Sequence, residues 1–92
     1  MITGQGSWIY AFSAAGDSLP GTIYLKHLRW VGATTAGHQL IVEDDAGNVI
    51  WESVADGQYM IDVFPFYRYI TGINPVTMGS GTLYAYTAAN GR

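Results

Sequence analysis

The chain has 92 residues, of which 49% are hydrophobic and 12% are charged, and its formal net charge at pH 7 is -3. This length predicts one small domain over residues 1–92, and the composition excludes a disordered tail, which would combine low hydropathy with high charge. The acidic balance argues against a nucleic-acid binder, and the lack of cysteine excludes disulfides and thiolate metal sites.

The residue types favour β-structure along the whole chain. Val, Ile, Thr and aromatic residues are abundant, and 12 glycines divide the chain into pieces of strand length. No stretch of about ten residues follows the 3.6-residue period of a helix. No apolar run approaches the roughly 18 residues of a membrane span, and residues 1–4 do not resemble a secretory signal.

The first two predicted strands are residues 7–13 and residues 22–31. Strict alternation predicts two faces for the second strand. One face carries Ile23, Leu25, His27, Arg29 and Val31, and the other carries Tyr24, Lys26, Leu28 and Trp30. The glycine-rich residues 32–37 then form a connection.

The clearest local signal is a hairpin. Residues 38–43 and 49–54 flank an Asp-rich loop that contains Gly47, as a bulged hairpin turn requires. Its register stays open, because a three-residue loop places Ile41 opposite Trp51 and a four-residue loop places Val42 there.

The remaining strands are short and end at turn residues. Residues 59–64 are stopped by Pro65, residues 68–73 by Asn74 and Pro75, and residues 82–87 follow a Gly-Ser-Gly turn. Six to eight short strands with frequent turns predict an all-β fold, a small antiparallel β-sandwich or partly open barrel. The prolines are expected in loops or at strand ends.

One internal similarity links the two ends of the chain. Residues 9–15 (IYAFSAA) and residues 83–89 (LYAYTAA) share four of seven positions. Two interpretations remain open. Either two strands rich in aromatic residues are similar by chance, or the two strands have a shared role as neighbours in one sheet.

No residue set supports a reaction, so the chain is predicted not to be an enzyme. His27 and His38 belong to no nucleophile motif. Glu43, Asp44 and Asp45 crowd an exposed loop, which lacks the apolar pocket that raises a carboxyl pKa for acid catalysis. The alternating Asp/Asn ligands of a calcium loop are missing. We therefore predict no catalytic residue, no metal site and no cofactor.

The aromatic residues exceed the needs of so small a core, with three tryptophans and seven tyrosines. Tyr and Trp are enriched at protein interfaces, and a chain with so few charged residues and no disulfides is expected to expose apolar patches as a monomer. A carbohydrate-binding module that stacks sugars on Trp and Tyr is the alternative interpretation.

Residues 24–53 (YLKHLRWVGATTAGHQLIVEDDAGNVIWES) and residues 79–86 (GSGTLYAY) resemble small proteins of tailed bacteriophages. The resemblance implies a virion structural protein, a head decoration or cement protein on the outer capsid surface that is made in the host cytoplasm. The major capsid protein is then the expected partner, and a homo-oligomer, a trimer, the expected state, with no nucleic acid or membrane bound. The resemblance identifies no functional residue. The terminal strands and the region of Arg68 and Tyr69 are the candidate interface, with the residues Trp8, Tyr10, Arg68, Tyr69, Tyr84 and Tyr86.

Overall fold

The computed structural model describes residues 2–4, 9–57 and 60–88, and it describes the side chains of residues 9–57 and 61–88. Seven strands account for most of this part of the chain. They are β1 (Ile2–Gly4), β2 (Ile9–Phe12), β3 (Leu19–Ala33), β4 (Gln39–Glu43), β5 (Val49–Val54), β6 (Met60–Met78) and β7 (Thr82–Thr87). The described residues contain no helix, and so none that could cross a membrane.

All strand pairs are antiparallel, and the strands follow the order β1-β2-β7-β3-β6-β4-β5. Within the described residues β1 pairs only with β2 and β5 only with β4, so the sheet is open. This confirms the all-β prediction, and the open antiparallel sheet is compatible with a small sandwich or an open barrel. The two strands that contain the similar segments, β2 and β7, are neighbours, and Ile9 lies opposite Tyr86.

The strict alternation predicted for β3 is wrong beyond Leu25. The register shifts between Leu25 and His27 against both neighbouring strands. Relative to β7 the extra residue lies in β3, and relative to β3 an extra residue also lies in β6, between Pro65 and Arg68. A β-bulge of this kind reverses which side chains face the core. The core side of β3 therefore carries Ile23 and Leu25 before the bulge, and Leu28 and Trp30 after it.

The two strands predicted around Pro65 are one strand, β6, which runs through both prolines. Both prolines lie beside irregularities of the ladder. Pro65 lies opposite His27 at the shift in β3, and Pro75 lies opposite Val42, where β4 shifts against β6. A bulge removes the need for the amide hydrogen that proline lacks, so the strand continues.

The β4–β5 hairpin adopts the register that places Val42 opposite Trp51, with a shift between Val42 and Glu43. Leu40 and Val42 consequently face the interior and are fully buried. The hairpin also contacts the first half of β6, where Trp51 stacks on Phe64 with ring centroids 5.5 Å apart and Ser53 Oγ donates to Asp62 at 2.5 Å.

One core holds these strands together. It joins side chains from β2, β3, β4, β6 and β7, and its largest fully buried members are Trp30, Phe12, Ile23, Leu25, Leu28, Leu40, Ile73 and Leu83. At roughly 1.5–3 kcal/mol for each large side chain buried, this cluster is the main stabilising term. The opposite side of β2, β7, β3 and β6 is left uncovered by any other described strand.

Candidate contact face

The uncovered side of the sheet forms a continuous surface, which we call the outer face. Side chains on neighbouring strands point the same way when their residues are paired. The pairing produces three rows across the strands: Ile61–Val31–Thr82, Val63–Arg29–Tyr84–Ala11 and Pro65–His27–Tyr86–Ile9. A fourth pair, Tyr24 and Tyr69, lies beyond the bulge.

The centre of the outer face is an ordered aromatic and cationic cluster. The His27 ring stacks on Tyr86 with centroids 4.2 Å apart, and Arg29 Nη1 donates to the Tyr86 hydroxyl at 3.4 Å. Burial lowers the pKa of His27, and the positive charges of Lys26 and Arg29 lower it further. The lowered pKa favours the neutral form of His27, and Arg29 contributes a positive charge at the centre of the face.

The β6 side of the outer face is apolar and open to solvent. Ile61 is 59% exposed, Val63 49% and Tyr69 65%, and the Tyr69 ring meets Tyr24 edge-on at 5.1 Å. Single exposed apolar side chains are common, but an adjoining set on one sheet face is typical of a binding surface.

Tyr67 adds backbone strain to this side of the molecule. Its φ of 53° lies in the left-handed region, and among the described residues it is the one non-glycine residue with positive φ. Its side chain is 59% exposed, so no core packing compensates for the strain. A bulky residue held in this conformation at a solvent-exposed bulge points to a functional constraint.

The structure divides the nominated interface residues into three groups. Tyr84 and Tyr86 lie on the outer face, and Tyr69 lies at its end. The Arg68 guanidinium is exposed and lies 4.7 Å from the centre of the Phe66 ring. Tyr10 is half-buried and packs against the core, opposite Ala85, so it does not belong to the face. Trp8 lies outside the described residues.

The tryptophans bear on the carbohydrate-binding alternative. Trp30 is fully buried, and its Nε1 donates to the Ser80 carbonyl at 2.9 Å. Trp51 is half-buried and stacked on Phe64. Neither ring presents an open platform for a sugar, and the most exposed aromatic rings of the described side chains are Tyr67 and Tyr69.

The side chains of His38 and Ser80 form a hydrogen bond, although the two residues lie 42 positions apart in the sequence. His38 Nδ1 lies 2.8 Å from Ser80 Oγ, and the same oxygen accepts a hydrogen bond from the Thr34 amide at 2.9 Å. In the described part of the chain the His38 side chain has Ser80 as its hydrogen-bond partner and no carboxylate behind it, so a catalytic triad is incomplete. The pair connects the 34–38 loop to the β6–β7 turn.

The carboxylates gather at the other end of the long strands, in what we call the acidic end. Asp17, Glu43, Asp44 and Asp45 line a pocket of about 330 Å³ together with Asn74 and Val76. The backbone N–H of Asn48 donates to Asp44 at 2.9 Å and lowers the pKa of that carboxyl. Asp45 accepts from Asn74 Nδ2 at 3.0 Å. No group of three or more potential metal ligands is present among the residues that the structure describes.

Sequence reasoning missed the β6 part of the outer face. The sequence predicts a strand at residues 59–64 without assigning its faces, and in the structure Ile61 and Val63 are exposed. Asp62 lies opposite the buried Trp30 and accepts a hydrogen bond from Ser53. The bulge in β3 conceals the face of His27, and no local signal in the sequence marks either arrangement.

Comparisons with protein-family models, with curated proteins and with solved structures find no match to this chain.

Proposed function

We propose that this protein is a non-enzymatic virion structural protein that decorates the outer surface of a tailed-phage head. The observation that carries the proposal is the outer face, a sheet surface of exposed apolar and aromatic side chains centred on Arg29. Aromatic residues and arginine are the types most enriched where proteins bind proteins. The sequence resemblance of residues 24–53 and 79–86 supplies the phage context.

The dimensions of the outer face suit a protein partner. The three rows span five residues along β3, β6 and β7, and four strands about 4.8 Å apart at roughly 3.3 Å per residue then present about 300 Å². This matches the largest apolar patch of a typical monomer, which is often functional, and it falls below the roughly 800 Å² per partner of a standard interface. A decoration protein compensates for a small individual contact by binding a repetitive shell through several copies.

The test is binding to undecorated heads of a phage that encodes this chain. We expect the wild-type protein to co-sediment with the heads and to raise their resistance to heat. Val63→Glu places a carboxylate on the outer face and is expected to weaken binding at least about tenfold. Val54→Glu is the matched control, because Val54 is 52% exposed and Val63 is 49% exposed. Wild-type protein that fails to bind the heads contradicts the proposal.

The same variants test the carbohydrate-binding alternative. Its specific support is the exposure of Tyr67 and Tyr69, since tyrosine rings stack on sugars. Titration of the wild-type protein with host surface polysaccharide, followed by intrinsic fluorescence, reports on this. A saturable change that Tyr69→Ala abolishes and Val63→Glu leaves intact assigns the protein to glycan binding instead.

A further inference from the structure

We infer that the outer face of one copy binds the acidic end of a second copy, so that the protein assembles head to tail. The inference rests on the proposed function only in treating the outer face as a protein-contact surface. Its support is the complementarity of two surfaces on the same chain in charge and in apolar character.

The two surfaces carry opposite charges. The three rows of the outer face contain Arg29 and no carboxylate, and Lys26 is exposed beside them at the bulge. The acidic end carries four carboxylates around one pocket. If two outer faces met, the Arg29 side chains of the two copies would repel each other. An acidic partner surface instead neutralises the charge of Arg29.

The acidic end also offers apolar surface. Val76 lines its pocket and is 45% exposed, and Val49, which pairs with Glu43, is 51% exposed. The outer face offers Ile61 and Val63 in return. A contact between the two surfaces therefore buries apolar area on both sides and surrounds it with opposite charges, as in the core and rim of an interface.

The two surfaces cannot meet within one copy. The acidic end is attached to β6 at Thr71, whose carbonyl accepts the Asp45 amide at 2.7 Å. Ile61 and Val63 lie eight to ten residues earlier on the same extended strand, which corresponds to about 25–35 Å. The longest dimension of the molecule is 36 Å, so the three rows of the outer face lie towards one end of it and the acidic end towards the other, with Tyr69 between them. Their complementarity is satisfied only between copies.

A contact between two different surfaces of one chain is heterologous, and such a contact closes into a ring when the rotation between copies permits. A ring is the form in which a small protein occupies a symmetric position on a shell, and the trimer predicted from the resemblance is the smallest such ring. Every copy in a ring uses both surfaces once. The ring then meets the shell as one unit of several copies, so a variant that disables the outer face weakens head binding through loss of avidity.

The test combines two variants that each disable one surface. Val63→Glu reverses the charge character of the outer face, and Val76→Lys does the same for the acidic end. Both valines are about half exposed, so folding is expected to survive, which circular dichroism verifies. Light scattering is measured across about two decades of concentration, with Val54→Lys as the control.

We expect the wild-type protein and the control to form a closed oligomer, and each surface variant alone to dissociate at least about tenfold more readily. An equimolar mixture of the two variants retains one intact outer face and one intact acidic end. It is expected to form at least dimers of twice the 10.0 kDa chain mass under conditions in which either variant alone is monomeric. Higher salt weakens the assembly because both surfaces are solvent-accessible before binding.

Two results overturn the inference. A wild-type protein that is monomeric at every concentration shows that the surfaces do not bind each other. A Val76→Lys protein that still assembles, with no new species on mixing, shows that the outer face binds itself. Shell binding is measured separately, so a monomer that decorates heads contradicts this inference alone, and a ring that ignores heads contradicts the proposed function alone.

Discussion

The Asp45 carboxylate occupies the space that a side chain at residue 72 would need. Gly72 has a φ of +87°, and a Cβ atom built there would overlap the Asp45 carboxyl group. The same carboxylate accepts from Asn74, so the hairpin tip is attached to the middle of β6 at this point. The acidic end is therefore positioned by the strand that also carries the outer face.

Gly72→Ala is expected to destabilise the protein by more than left-handed strain alone. That strain costs about 1–2 kcal/mol, and displacement of Asp45 adds to it. Gly37→Ala is the matched control, because Gly37 has a φ of +91° with no atom within 4 Å of the added Cβ. Urea unfolding of both variants measures the difference. In an Asp45→Ala background the excess cost of Gly72→Ala should disappear, and an unchanged excess would contradict the clash.

Ser80 is expected to stabilise the β6–β7 turn through several hydrogen bonds. Its hydroxyl joins the Thr34 amide to His38, and its carbonyl accepts from the buried Trp30 indole. Ser80→Ala removes both hydroxyl contacts and is expected to cost about 1–3 kcal/mol of unfolding free energy. Thr35→Ala, an exposed hydroxyl in the same loop, is expected to change it by less than about 0.5 kcal/mol. Equal effects in thermal unfolding would contradict this role of Ser80.

Because the pKa of His27 is lowered in the folded protein, the free energy of unfolding is expected to fall on mild acidification. Its folded pKa lies below its unfolded value of about 6.5, so the unfolded chain binds more protons in that window. The stability from neutral His27 is thus complete above about pH 6.5 and is lost as the pH falls through the folded pKa.

Chemical unfolding from pH 7.5 to 5 checks this prediction. His27→Gln should reduce the slope of unfolding free energy against pH, whereas His38→Gln should preserve the part that His27 contributes. If the slope persists in His27→Gln, another group is responsible for it.

The strands that depend only on local alternation and turn residues were predictable from the sequence. The composition of the outer face was not predictable. Hairpin residues 49–54 and the last strand, 82–87, follow alternation and turn chemistry, and the structure confirms their bounds. The face of His27 depends on a bulge, which inserts one residue and reverses the alternation. The orientation of Asp62 depends on Ser53, nine residues earlier. The Ser53 hydroxyl donates a hydrogen bond to the Asp62 carboxylate, so this carboxylate can lie on the inner side of the strand. Both are tertiary effects that a local pattern does not encode.

Tyr67 is expected to lower the stability of the fold through its backbone strain and to contribute to binding through its exposed ring. Asn tolerates the left-handed conformation better than other non-glycine residues, whereas Ala does not, and both substitutions remove the ring. Tyr67→Asn should therefore be about 0.5–1 kcal/mol more stable than Tyr67→Ala in urea unfolding. Because the side chain is exposed, neither substitution opens a core cavity.

The binding half of this prediction uses the same pair of variants. If the strained tyrosine is retained for contact with another protein, Tyr67→Asn should weaken self-assembly and head binding as much as Tyr67→Ala despite its greater stability. Tyr67→Phe keeps both the ring and the strain and should bind as the wild type does. A Tyr67→Asn protein that is more stable and binds normally would mean that the strain serves the bulge beside Lys26 and that Tyr67 takes no part in the contact.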